Sequence, residues 1–212
     1  MRIETTDTSV QLVEFYSDLG QWAVRWDFKP KVDEQGQEIG VNWYEEHIYN
    51  WIPTIGDIQQ TITDWFNKQT DGVIEHGYEW KGIQVYLNDE NKFNYKAITD
   101  EAARIETAIA IWDKEHPELS GQPFIVEEGV DSDGNKIIKS VPTGRPVSKF
   151  PVTLKLGETN IPENFYTFTT ITELQEFFGS GVDHLISAYG AGWYKIATFD
   201  WMPYVQALED LK

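Results

Sequence analysis

The 212-residue chain contains no cysteine, so disulfides and thiolate metal sites are excluded. It has no apolar run long enough to span a bilayer, and Met1 to Val10 carry no apolar stretch of a secretory leader. A soluble protein is expected, one that reaches any position outside a cell by another route and has no membrane partner. Positive charge is scarce: 17 Lys and Arg stand against 35 Asp and Glu, for a formal charge of -18, and the cations are scattered. Phosphate recognition needs a positive footprint, so nucleic acid is disfavoured as a partner, and the acidic balance mainly serves solubility. The histidines, His47, His76, His116 and His184, lie too far apart for metal-ligand spacing. No glycine-rich phosphate loop and no G-x-S-x-G elbow is present. Glu45-Glu46, Asp89-Glu90 and Glu127-Glu128 are carboxylate pairs of the kind sugar hydrolysis uses, yet 35 acidic residues produce such neighbours by chance. The reading is therefore of a non-enzymatic protein with no cofactor and no metal.

A hydrophobic content of 41%, of which the aromatic rings make 14% of all residues, marks a globular chain with enough material for a core that needs no staples. Nine tryptophans are many for this length; they read as core and interface anchors before they read as sugar-stacking platforms. The chain is organised around Trp80 to Ile98. Ile83, Val85 and Leu87 alternate with Gln84 and Tyr86, the pattern of a strand with one buried face. Asn88-Asp89-Glu90-Asn91 then suit a turn or a helix start, and a helix is expected from about Asn91 to Glu115, ended by Pro117. Its inner face would carry Ala97, Ala102, Ile105, Ile109 and Trp112.

Before this stretch, the first dozen residues suit a loose arm or an edge strand, and Val10 to Tyr16 suit a strand or a short helix. Trp22, Val24, Trp26 and Phe28 alternate on one side of a strand. A second strand near Val41 to Tyr49 pairs with it through a long solvated tip. Thr54 caps a helix bearing Ile55, Ile58, Ile62, Trp65 and Phe66, stopped by Gly77. After the second helix, residues 117–150 read as a projecting hairpin insertion with its tip at Asp131-Ser132-Asp133-Gly134-Asn135. That tip superficially matches a calcium loop, but the sixth position is Lys136 and the twelfth is Pro142, so a β-turn is expected. Two strands follow, Pro151 to Gly157 and Asn164 to Thr169. A third helix, capped by Thr170 or Thr172, would end at Gly190-Ala191-Gly192, and a last short helix follows Pro203. For Trp193-Tyr194-Lys195 beyond that end, core packing is the plainer reading and an exposed contact surface the sharper one.

Three phrases together carry a resemblance. Trp80-Lys81-Gly82 through Glu90-Asn91-Lys92-Phe93-Asn94-Tyr95-Lys96-Ala97 resembles the strand and E-N-x-F-N-Y-K-A helix of a domain of unknown function found in bacteriophage tail and tail-fibre assembly proteins, in the version carried by phages and prophages of gut anaerobes. Phe150 to Gly157 is similar to its P-V-T-x-K-x-G strand. Phe168, Leu174, Phe177-Phe178, Gly192-Trp193, Lys195 and Asp200-Trp201 are similar to its closing helix and G-W-x-x-K…D-W tail. The similarity covers about residues 51 to 204 and departs at Asp113 to Lys149, where the family has a brief link. The resemblance implies a virion or virion-assembly role at the tail, assembly in the host cytoplasm, and partners among other virion proteins or further copies of the same chain. It transfers no catalytic residue.

The expectation is thus an α+β fold: an N-terminal β-hairpin region at 1–52, and a domain at 53–212 with three main helices and the hairpin insertion. The expected function is that of a structural, tail-associated or tail-accessory component. The alternatives are a receptor- or glycan-binding module for a cell-surface glycan, and a tail assembly factor absent from the virion. The candidate interface residues are Trp193, Tyr194, Trp201, Asp131, Asp133 and Asn135.

Overall fold

The computed structural model describes residues 1–7 and 9–211, the side chain of Ile138 excepted, and its class is α+β. Packing divides the chain into two units, one formed by residues 1–71 with 189–212 and the other by residues 72–188. The boundary expected at 52–53 is not where the packing divides, because the helix that begins at Ile55 lays its apolar face on the N-terminal sheet and belongs with it.

In the first unit, β1 (Arg2–Thr5), β2 (Val13–Tyr16), β3 (Gln21–Val32) and β4 (Glu38–Tyr49) form one antiparallel sheet in the order β1-β4-β3-β2. Alternation along β3 sends Val24 and Trp26 to the core, where they meet Ile58 and Ile62 of α1 (Ile55–His76) and Tyr204 of α4 (Met202–Glu209). Phe28 does not share that face as expected: Asp27 has φ 56 and the register shifts between Trp26 and Lys29, so the strand turns its remaining side chains outward. Thr54 caps α1 reciprocally, its Oγ1 accepting from Asp57 N at 3.2 Å while Asp57 Oδ2 accepts from Thr54 N at 2.8 Å.

The opposite face of β3 carries Arg25, 2% exposed. Its Nε donates to Glu46 Oε2 at 2.8 Å, one Nη donates to the Gln11 carbonyl at 2.7 Å, and the other donates to Glu14 Oε2 at 2.6 Å and to the Tyr16 hydroxyl. Burial works against the guanidinium charge, but the bonds to Glu14, Glu46 and Tyr16 outweigh it and raise its pKa. Four of the five N–H donors are thus occupied, and each of the three nitrogens has an acceptor, which is what a buried cation requires.

The second unit takes in the last residues of α1, from Gly72 onward. Gly77, with φ 74, donates its N–H to Ile74 O at 3.0 Å, and the chain folds back through β5 (Glu79–Trp80) and β6 (Ile83–Gln84). The strand expected over Ile83–Leu87 keeps its buried Val85 and Leu87, but its ladder stops after Gln84 because Val85, Tyr86 and Leu87 bond to three different partners, Tyr78, Leu156 and Glu75. α2 (Asp89–Glu115) starts two residues earlier than expected, since Asn88 Oδ1 accepts from Asn91 N at 2.8 Å as its N-cap. Tyr95, Thr99, Ala102, Ile105 and Ile109 form its buried face; Ala97 is exposed, because it lies across the helix from Tyr95.

β7 (Phe124–Val130) and β8 (Lys136–Pro142) form a hairpin, and β9 (Val152–Lys155) pairs antiparallel with β10 (Phe165–Phe168). α3 runs from Ile171 to Ala197, with Thr170 Oγ1 accepting from Glu173 N at 3.2 Å. It does not stop at Gly190-Ala191-Gly192: neither glycine takes a positive φ, and at Gly192 a Cβ would stand 2.2 Å from Thr70 Oγ1 of α1. That glycine permits a close helix contact within the first unit rather than a chain reversal. Phe177 centres the second core, its ring 5.1 Å from Tyr95, 5.1 Å from Phe168 and 5.5 Å from Trp80.

Arg25→Met leaves Glu46 buried without its cation, and the expected loss is about 3–5 kcal/mol in urea denaturation, part of it recovered by adding Glu46→Gln. A loss under about 1 kcal/mol would show that the pair behaves like a surface one. A second expectation concerns acid. Bonds from Lys81, from the Tyr166 hydroxyl and from the Thr169 N–H hold the Glu173 carboxyl at about 2, below its ordinary 4.5. The folded state favours the ionised form, so its contribution is complete above about 4.5 and disappears as pH falls toward 2. Glu173→Gln should therefore lower the urea midpoint at neutral pH and flatten the fall of that midpoint on acidification.

Candidate functional site

The hairpin is held firmly at its root. Arg145 forks onto Asp113 of α2, Nε to Oδ1 at 2.6 Å and Nη2 to Oδ2 at 2.8 Å, and Thr143 N donates to Pro123 O at 3.1 Å. Ser148 Oγ donates to Glu106, one more fastening along the same helix. Beyond the root, both strands stand in solvent. Phe124, Val126 and Val130 project from one face of the ribbon, and Ile125 and Ile137 from the other. Val126 and Val130 are 61% and 69% exposed, an unusual cost for β-branched apolar side chains. Among the described residues, β7 and β8 make a sheet of their own, so each keeps one unpaired edge.

The tip residues serve the turn. Asp131 Oδ1 accepts from Asp133 N at 2.9 Å and Asn135 N at 2.8 Å, Gly134 N donates to Asp131 O at 3.1 Å, and Gly134 takes φ 79. These bonds, the Asn135 backbone N–H foremost, hold the Asp131 carboxyl below its ordinary range. The carboxylate is occupied by its own backbone, and among the described residues no three His, Asp or Glu side chains converge as metal ligands.

Of the other expected interface residues, Trp193 and Tyr194 lie on the outer surface of α3, 66% and 70% exposed, and the Trp193 ring stacks on Tyr189 at 5.8 Å and 22°. Their core reading fails there, because α3 continues and carries them to the solvent side. Trp201 is different: it is half-buried in the first core with its ring 4.5 Å from Phe199. Trp193 and Tyr194 belong to the first unit and the hairpin to the second.

The carboxylate pairs do not converge. Glu46 turns to Arg25, whereas Glu45 turns to Arg2 at 3.2 Å from the other side of β4. Glu127 and Glu128 likewise point to opposite faces of β7. The histidines are spent singly: His116 stacks on Trp112 at 4.3 Å, His184 bonds the Val73 carbonyl at 3.1 Å, and His47 packs on Tyr49 with its pKa lowered by burial. One apolar cavity of the second unit, bounded by Tyr78, Tyr95, Phe177 and Gly181, had no sequence motif. Its signal was the pair of glycines, Gly179 and Gly181, inside an otherwise regular helix. Comparison with protein-family models, curated proteins and solved structures returned no match.

Removal of the tip cap tests the turn reading. Asp131→Ala should raise amide exchange at Asp133 and Asn135 and leave the two cores protected. Calcium added to the unaltered protein should shift none of the tip amide resonances; saturable shifts confined to 131–135 would restore the metal reading.

Proposed function

We propose that the chain is a non-enzymatic bacteriophage structural protein, tail-associated or tail-accessory, that acts through protein–protein interfaces and works as an oligomer or bound to other virion proteins. The resemblance of Trp80 to Ala97, Phe150 to Gly157 and the Trp193 and Trp201 segment to phage tail domains supports the setting. The hairpin supports the mode of action. A lone two-stranded ribbon is marginal in water, and this one leaves apolar side chains on both faces and two unpaired edges. Such a ribbon gains most when another chain covers it, by strand addition at an edge and apolar burial on a face. A rigid root with a bare arm is the arrangement that a docking element needs. A receptor- or glycan-binding role is the second reading, and the exposed Trp193–Tyr189 stack is what favours it.

The decisive experiment combines particle composition with an excision at the root. Mass spectrometry of purified virions should find the chain in a copy number divisible by a ring symmetry. Replacement of residues 124–142 by a short Gly-Ser link should leave the melting of the isolated protein within a few degrees, and should remove the chain from particles. Its absence from wild-type particles, with abundance in lysate, would overturn the virion role. Normal incorporation of the excised form would overturn the role of the hairpin.

A further inference from the structure

The second unit holds a half-open cavity of about 210 Å³ between α2, α3 and the segment that carries Tyr78 and Leu87. Its wall is apolar throughout. The two tyrosine hydroxyls near it are already committed, Tyr78 donating to Phe177 O at 2.7 Å and Tyr95 to Lys155 O at 2.8 Å. Burial raises both phenols, Tyr95 to about 12, so neither supplies charge at neutral pH. At the mouth stand Lys92 and Lys96, one turn apart on α2, whose stems complete the wall. Their ammonium groups rest on exposed carboxylates, Lys92 on Asp89 at 2.7 Å and Lys96 on Asp100. Exposed pairs of this kind exchange partners at little cost. In a chain of net charge -18, the lining of this apolar cavity carries two cations and no carboxylate, each cation balanced from outside the cavity by one exposed aspartate.

A second observation comes from α3. Gly181 is buried in the middle of the helix with an ordinary helical φ, and a Cβ there would meet only the Tyr78 ring, at an unstrained 3.5 Å. Neither backbone conformation nor crowding excludes alanine, although glycine is the poorest helix former after proline. What the missing methyl does is enlarge the cavity beside Tyr78.

We propose that this cavity binds a medium-chain aliphatic carboxylate, its tail among Tyr78, Tyr95, Phe177 and Val182 and its head group at Lys92 and Lys96. The volume holds about seven water-sized groups, which suits a short acyl tail and is too small for a drug-sized ligand. The proposal is independent of the virion role.

Sodium octanoate is the probe, with octanol as a neutral analogue, read by amide chemical shifts of the full chain. Octanoate should give saturable shifts centred on Tyr95, Phe177 and Gly181. Gly181→Ala should weaken its binding about tenfold while the melting temperature holds or rises, since the helix improves as the cavity shrinks. The Lys92→Gln, Lys96→Gln double variant should weaken octanoate about fivefold and leave octanol unchanged. Absence of saturable shifts, unaltered binding in Gly181→Ala, or octanol binding as tightly as octanoate would each overturn the proposal.

Discussion

The second unit depends on how closely the backbone passes at Gly77. A Cβ at that residue would stand 1.8 Å from the carbonyl oxygen of Val85, a distance no side chain survives. With glycine there, α1 ends in a left-handed residue and the chain returns against the helix terminus. The returning segment then satisfies what the helix end leaves open: Leu87 N donates to Glu75 O at 3.0 Å and the Gln84 side chain to His76 O at 2.6 Å. The same few residues also begin the next elements. Tyr86 N donates to Leu156 O and so joins the strand pair β9–β10, while the Tyr86 carbonyl accepts from the Asn91 side chain in the first turn of α2. One tight crossing therefore sets the end of a helix, the seat of a sheet and the start of another helix. The buried Val85 and Leu87 follow from it, because alternation along the segment has only one side left to face.

The first unit secures its register by a different means. Arg25 sits in β3 among residues that the core would otherwise welcome, and desolvation makes a buried cation expensive. Its four acceptors come from Gln11, Glu14, Tyr16 and Glu46, that is, from both strands that flank β3 and from the approach to β2. A slip of one residue in β3 would turn Arg25 into the apolar face with Ile58 and Ile62 and leave the buried Glu46 without its cation. The network contributes less by its own attraction than by the penalty it places on wrong pairings. The phenol of Tyr204, donating to the Arg25 carbonyl at 2.8 Å, ties α4 to that same residue.

Much of this architecture was legible because it follows from period and punctuation. The Thr54–Asp57 cap, the stripe of Ile58 and Ile62, the stop at Gly77 and the hairpin tip at Asp131 to Asn135 each rest on contacts within a few residues. What could not be read depends on partners distant in sequence. Arg25 looks like any polar residue on the outer side of a strand until Glu14, Tyr16 and Glu46 are brought around it. Phe28 obeys the alternation of Trp22, Val24 and Trp26 on paper, and only the positive φ at Asp27 takes it off that face. The surface aromatics were half legible. Trp193 and Tyr194 stand out in the sequence as an aromatic pair, but their exposure follows from the continuation of α3, which local signals argue against.

That continuation shows why glycine is ambiguous in a sequence and unambiguous in a structure. α3 contains Gly179, Gly181, Gly190 and Gly192, and each costs helix stability by the same mechanism. At Gly192 the cost is offset by a contact, since Thr70 occupies the space where a side chain would begin. At Gly179 and Gly190 a Cβ would meet nothing within 4 Å. At Gly181 it would meet a wall of a cavity that the fold leaves open. Of the three glycines that relieve no clash, Gly181 is the one that lines this cavity, so its missing methyl widens the space beside Tyr78, whereas Gly179 and Gly190 have no such consequence in that cavity.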